Sequence, residues 1–247
     1  MTITPEFSTT GMVLAGLLAA YAAIGEPLLG HRMYDRLRQR RPHDPRALIR
    51  YYAETIAFWC VVAVLIGAAV AASPGLAAAD VGLRLPDDLV FSVALAAAIV
   101  AVVVWVTIGL RRRARQGHPV PGLEKVEAML PRTATERGMA TAVAVLDGVV
   151  GEILYRGLLI AFGVGVLGLN LYVAAALALA VFALAGVYQG RTGVVAFALM
   201  GFAPTALYLL TGSLLLPIVF HTLLSLRDLV FLPAPEDTEP QPQAGAA

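Results

Sequence analysis

Cysteine is almost absent: Cys60 is the only one in 247 residues, so neither an internal disulfide nor a thiolate metal cluster can be built from this chain. Histidine is nearly as scarce. Of four, His31, His43 and His118 fall in charged connecting segments, which leaves His221 as the one imidazole within an apolar run. A His-rich metal site is thereby excluded, and no His-Glu-x-x-His pair occurs, so we expect neither a metal nor a cofactor. A Gly-x-Ser-x-Gly elbow is also missing, and Ser225 stands one turn from His221 on the same helix face, which argues against Ser/His/Asp hydrolysis. The first seven residues lack the basic region that precedes the apolar core of a signal peptide, so the first apolar run is expected to stay in the chain.

Charge is thin as well, at 14% of residues, against 59% hydrophobic residues and a mean hydropathy of +0.77. That balance excludes an ordinary soluble domain and describes a polytopic membrane protein. Seven apolar stretches, 11–29, 53–72, 89–110, 138–162, 167–187, 194–210 and 214–232, are long enough to cross a bilayer as helices. The expected fold is therefore all-α: a transmembrane bundle of about seven spans forming a single membrane domain over residues 1–232. Residues 233–247 are proline-rich, hold three acids and no base, and are expected to be disordered.

The basic residues sort by side. Seven of the 18 lie from Arg32 to Arg50 and seven more from Arg111 to Arg137, with Arg191 in a third connecting segment. By the positive-inside rule these loops face the cytoplasm of a cell-membrane protein whose N-terminus is outside and C-terminus inside. Topology and anionic headgroups account for the arginines, so nucleic acid is not an expected partner; the bilayer is. Gly25-Glu26-Pro27 is expected to end the first span, with Glu26 turned toward the basic loop, and Glu54 is expected to pair with Arg50. Residues 123–130 read as a short amphipathic helix.

One stretch breaks the apolar pattern where it matters most. Between Met139 and Val166 the run Asp147-Gly-Val-Val-Gly-Glu-Ile-Leu-Tyr-Arg-Gly157 places Asp147, Glu152 and Arg156 far below a membrane surface. Ionisable groups at such depth are functional candidates. Glu152 and Arg156 are spaced i,i+4 with the acid first, so they also suit a structural ion pair. Glu152 with His221 forms the remaining catalytic candidate, a carboxylate that polarises a water and an imidazole that holds the developing oxyanion. For His221 alone, a hydrogen bond to a carbonyl or to Ser225 is the alternative.

At these residues the sequence resembles the CPBP family of CAAX proteases and bacteriocin-processing proteins, also called the Abi family, over about residues 80–232. The family pattern Glu-Glu-x-x-x-Arg-Gly reads here as Gly151-Glu152-Ile-Leu-Tyr-Arg156-Gly157. The pattern Phe-x-x-x-His followed by Tyr-Gln-Gly reads from Phe182 through Gly186 to Tyr188-Gln189-Gly190, and His-x-x-x-Asn or Asp reads from His221 to Ser225. Segments 81–84 and 130–137 resemble its flanking parts. The resemblance implies an intramembrane endopeptidase of prenylated CAAX proteins, in which the enzyme reading takes Glu152 and His221 as catalytic with Arg156, Ser225 and Tyr188 in support, although the family's second glutamate and its arginine look more like a supporting ion pair. Glycine at 151 and 186 and serine at 225 stand where the family keeps its water-activating and oxyanion-binding groups, which implies reduced or absent protease activity. The alternative is a non-catalytic relative that binds a membrane partner or a lipidated peptide in the same cavity. Asp147 lies four residues before Gly151, on the same helix face, and is placed either to take over the vacated carboxylate role or simply to cap a helix broken near Gly148 or face other polar groups.

Overall fold

The computed structural model describes residues 2–120 and 122–232; Met1, Pro121 and residues 233–247 lie outside the described residues. Among them every regular element is helical: α1 Thr9–Ala20, α2 Glu26–Arg40, α3 Ala47–Ala71, α4 Leu89–Arg115, α5 Ala134–Leu146, α6 Leu159–Gly165, α7 Leu171–Leu184, α8 Arg191–Thr211 and α9 Leu215–Leu226.

Five helices are long and apolar enough to cross a membrane: Thr9–Arg40, Ala47–Ala71, Leu89–Arg115, Leu171–Gln189 and Arg191–Thr211. Helix α4 fits a bilayer, since Val90 is 81% and Trp105 76% exposed, apolar surface of the kind that hydrocarbon covers. The expected stretches 138–162 and 214–232 are helical but not among the five. In the first, the turns Asp147–Gly151 and Ile153–Leu158 widen to π geometry between α5 and α6; in the second, Arg227–Phe231 does so after α9.

Close approach between helices accompanies the widening. A Cβ on Gly148 would stand 2.9 Å from the backbone N and Cα of Thr222 on α9, so only glycine lets the two elements meet there. Single π turns within α-helices recur at functional sites because they redirect the side chains around them. Leu154, Tyr155, Leu158 and Ile160, from the same broken helix, are fully buried at the centre of the larger core cluster.

Three local expectations need correction. The first span does not end at Pro27: a π turn, Tyr21–Gly25, lets the Glu26 N–H reach back to the Tyr21 carbonyl, and Pro27 falls in the first turn of α2, where its missing N–H breaks no bond. Arg50 pairs with Asp44, which also accepts from Arg46 N, and not with Glu54. Residues 123–130 form two short 3₁₀ turns, Leu123–Lys125 and Glu127–Met129, held by Tyr34 and Tyr52, whose hydroxyls donate to the carbonyls of Lys125 and Met129.

The start of α5 is fixed where it leaves this segment. Thr133 and Glu136 form a reciprocal capping box, and Arg41 donates to Glu136 Oε1 at 2.9 Å and to the Leu130 carbonyl at 3.0 Å. Burial pushes the Glu136 carboxyl up, but hydrogen bonds from Arg132 N, Arg41 and Thr133 N, with the Arg41 charge, outweigh it and hold the group below its usual range. The broken helix is thus anchored at its N-terminal end before it carries Asp147 into the bundle.

Candidate functional site

The widened turns collect the charged side chains around His221. Arg156 is 1% exposed, and its planar fork is fully used: Nη1 donates to Glu152 Oε1 at 2.9 Å, Nη2 to the Gly201 carbonyl at 2.9 Å and Nε to Thr205 Oγ1 at 3.3 Å. Its Cζ also lies 4.4 Å from the centre of the Phe182 ring. Thr205 and Gly201 belong to α8 and Phe182 to α7, so one guanidinium ties three helices together.

Glu152 is completely buried. Its Oε1 takes the Arg156 bond and a second at 2.7 Å with His221 Nδ1, while Oε2 is buried without a partner. With a carboxylate as acceptor, Nδ1 carries a proton and that bond fixes the ring's orientation, and a second carboxylate facing the other nitrogen favours the imidazolium, in which both nitrogens donate. Phe182 packs edge-on against the ring at 6.0 Å between centroids. The other nitrogen, Nε2, lies 3.4 Å from Asp147 Oδ2. His221 therefore stands between two carboxylates, one sealed and one, Asp147, with 34% of its side chain exposed.

Asp147, Gly151 and His221 line one cavity of about 350 Å³. Glu152 and Arg156 do not reach it; Ser225, Tyr188, Phe182, Tyr155 and Glu26 do. Ser225 forms no hydrogen bond with His221, whose nitrogens face the two acids. Tyr188 accepts from Gln189 Nε2 at 2.6 Å and packs at a tilt against Tyr34, 5.4 Å between ring centres. Among the described residues no group of three or more His, Cys, Asp or Glu is arranged to hold a metal ion.

The glycines that depart from the family pattern differ in kind. A Cβ on Gly151 would meet Asp147 Oδ1 and Trp59 Cη2 at 3.6 Å and His221 Cε1 at 3.9 Å, which is ordinary contact, so a Cβ fits there, at a position that lines the cavity. At Gly186 a Cβ would lie 2.6 Å from the Gly193 carbonyl oxygen and 2.8 Å from Phe197, because the chain after α7 is pressed against α8. No imidazole fits at 186 without moving that contact.

Sequence reading missed Glu26. Rather than turning to the basic loop it accepts a 2.5 Å hydrogen bond from the Tyr155 hydroxyl, a partner 129 residues away. The signal available was an acid inside an apolar run, the same signal that singled out Glu152.

Residues 134–226 match the family model for type II CAAX prenyl endopeptidases, Rce1-like. No curated protein and no solved structure matches the chain.

Proposed function

We propose, from the match of residues 134–226 to the Rce1-like type II CAAX prenyl endopeptidase family model, that this membrane protein is an endopeptidase that cuts lipidated peptides at the inner rim of the bilayer. Asp147 and His221 are its reacting groups. The observation that carries the reading is the place of Asp147: its Oδ1 lies 3.6 Å from where a side chain on Gly151 would begin, and its Oδ2 faces His221 Nε2. The missing glutamate's space is thus bordered by a carboxylate from one turn earlier.

In this reading a water bound beside Asp147 gives up a proton to that carboxylate and attacks the scissile carbonyl carbon. The carbonyl oxygen gathers negative charge, which the N–H at His221 Nε2 stabilises. Glu152 acts in support. Sealed from the cavity and held by Arg156, it keeps the imidazole aligned. The apolar part of the lining, including Leu110, Val126, Met129, Phe197, Met200 and Leu229, suits a lipid-modified chain entering from the bilayer. The reading is tested by incubating the purified protein in lipid vesicles with a prenylated CAAX peptide. Loss of the peptide's C-terminal residues is expected.

A second reading, a non-catalytic relative that retains the cavity as a binding site for a lipidated peptide or membrane partner, draws on the closed contact at Gly186. It is the conclusion if such a peptide is bound and never shortened.

The chain crosses the membrane seven times in this proposal, with the N-terminus outside and the C-terminus in the cytoplasm, because 15 of the 18 basic residues then fall on the inner side. A reporter joined after Val120 should be cytoplasmic and one joined at Ala78 external. The reverse pattern would discard this topology.

A further inference from the structure

In the proposed reaction the departing amine must gain a proton, which either Asp147, once it has taken one from the water, or a second acid at the cavity can supply. We propose, resting on that reading, that Glu26 is a further catalytic residue: the acid that protonates the leaving amine.

Glu26 comes from α2, outside the matched segment, and lines the same cavity of about 350 Å³ as Asp147, Gly151 and His221. Among the described residues no ion pair includes it, so its presence in an apolar span is not explained by a cation. Among the described residues its carboxyl has one hydrogen-bond partner, Tyr155, whose hydroxyl donates to Oε2 at 2.5 Å. Tyr155 is itself 1% exposed and packed edge-on against Phe182 at 5.1 Å, so the carboxyl is held by a rigid support. Oε1 remains as the oxygen that can carry a proton. The π turn Tyr21–Gly25 immediately before Glu26 is a local distortion of the kind that re-aims a side chain.

Two carboxyl groups at one cavity can divide the work of acid and base. The water oxygen bonds to the carbonyl carbon as its proton passes to Asp147. The C–N bond then breaks, and the nitrogen takes its proton from Glu26. The products are a carboxylic acid and an amine, and transfer of the proton from Asp147 to Glu26 restores the starting state.

Glu26→Gln keeps an acceptor for Tyr155 and removes the acid. With the full-length protein in vesicles and a prenylated peptide, kcat should fall about 10²- to 10⁴-fold with KM unchanged, and Glu26→Asp should recover part of the loss. An ester analogue with an easily expelled alkoxide leaving group needs little protonation, so Glu26→Gln should cleave it at close to the unaltered rate. Peptide cleavage within about threefold of the unaltered protein, or an equal loss on peptide and ester, overturns the acid role alone. Failure of the unaltered protein to cleave either substrate overturns the endopeptidase reading and this inference with it.

Discussion

Asp147→Asn is expected to lower kcat for cleavage of a prenylated peptide by about 10²- to 10⁴-fold, the usual span for loss of a general base, while KM stays near its original value. The substitution is nearly isosteric, the side chain is 34% exposed, and its one polar contact is the 3.4 Å approach to His221, so the fold should be unaffected. The size of the effect follows from position. Asp147 borders both the cavity and the imidazole, whereas Glu152 is sealed away from any substrate and has Oε1 committed twice. Single-turnover rates of the purified variant in vesicles, compared with its elution profile in detergent, separate lost chemistry from lost structure. Unchanged turnover in Asp147→Asn would remove this residue from the reaction.

Arg156→Met should destabilise the protein by about 3 to 5 kcal/mol, because it leaves the Glu152 carboxylate buried with His221 as its remaining partner. Glu152→Gln should do comparable damage by stranding the guanidinium. The double variant Glu152→Gln with Arg156→Met removes both charges and is expected to lie well above either single change, since the deficit of each comes from the partner left behind. Thermal midpoints in detergent give the comparison directly. Should the double variant prove no better folded than the single ones, the attraction between these groups is not what holds this part of the bundle.

The part of this site that could be read in the sequence is the part built on local spacing. Glu152 and Arg156 are four residues apart, and they meet at 2.9 Å as that spacing requires. The one-turn offset between Asp147 and Gly151 likewise survives, even though the turn that carries both has π geometry. The groups that complete the guanidinium's bonding, on Gly201 and Thr205, lie 45 and 49 residues further on. No short pattern marks them. Glu26 is hidden for the same reason: its hydrogen bond to Tyr155 depends on how the first helix packs, and Pro27 beside it reads as a helix end until the π turn before it is seen.

Hydropathy located the five long apolar helices but gave no sign of the widened turns in the other two stretches. Apolar content along 138–162 and 214–232 is sufficient for crossing, but composition carries no information about widened turns, which arise where Gly148 lets the chain press onto Thr222. The pairing of Arg50 with Glu54 was a reasonable inference from spacing that lost to Asp44, an acid in the turn just before α3. Motif comparison marks Gly151 and Gly186 as equal losses, whereas packing separates them: one position is open and the other closed.

That difference supplies the most direct test of the central claim, that Asp147 has taken over the role of a carboxylate missing from position 151. Returning a glutamate there in the inactive background, Asp147→Asn with Gly151→Glu, should raise peptide turnover in vesicles at least about tenfold above Asp147→Asn alone, because a Cβ fits at 151, at a position that lines the cavity with His221. A correctly folded double variant no faster than Asp147→Asn would contradict the account.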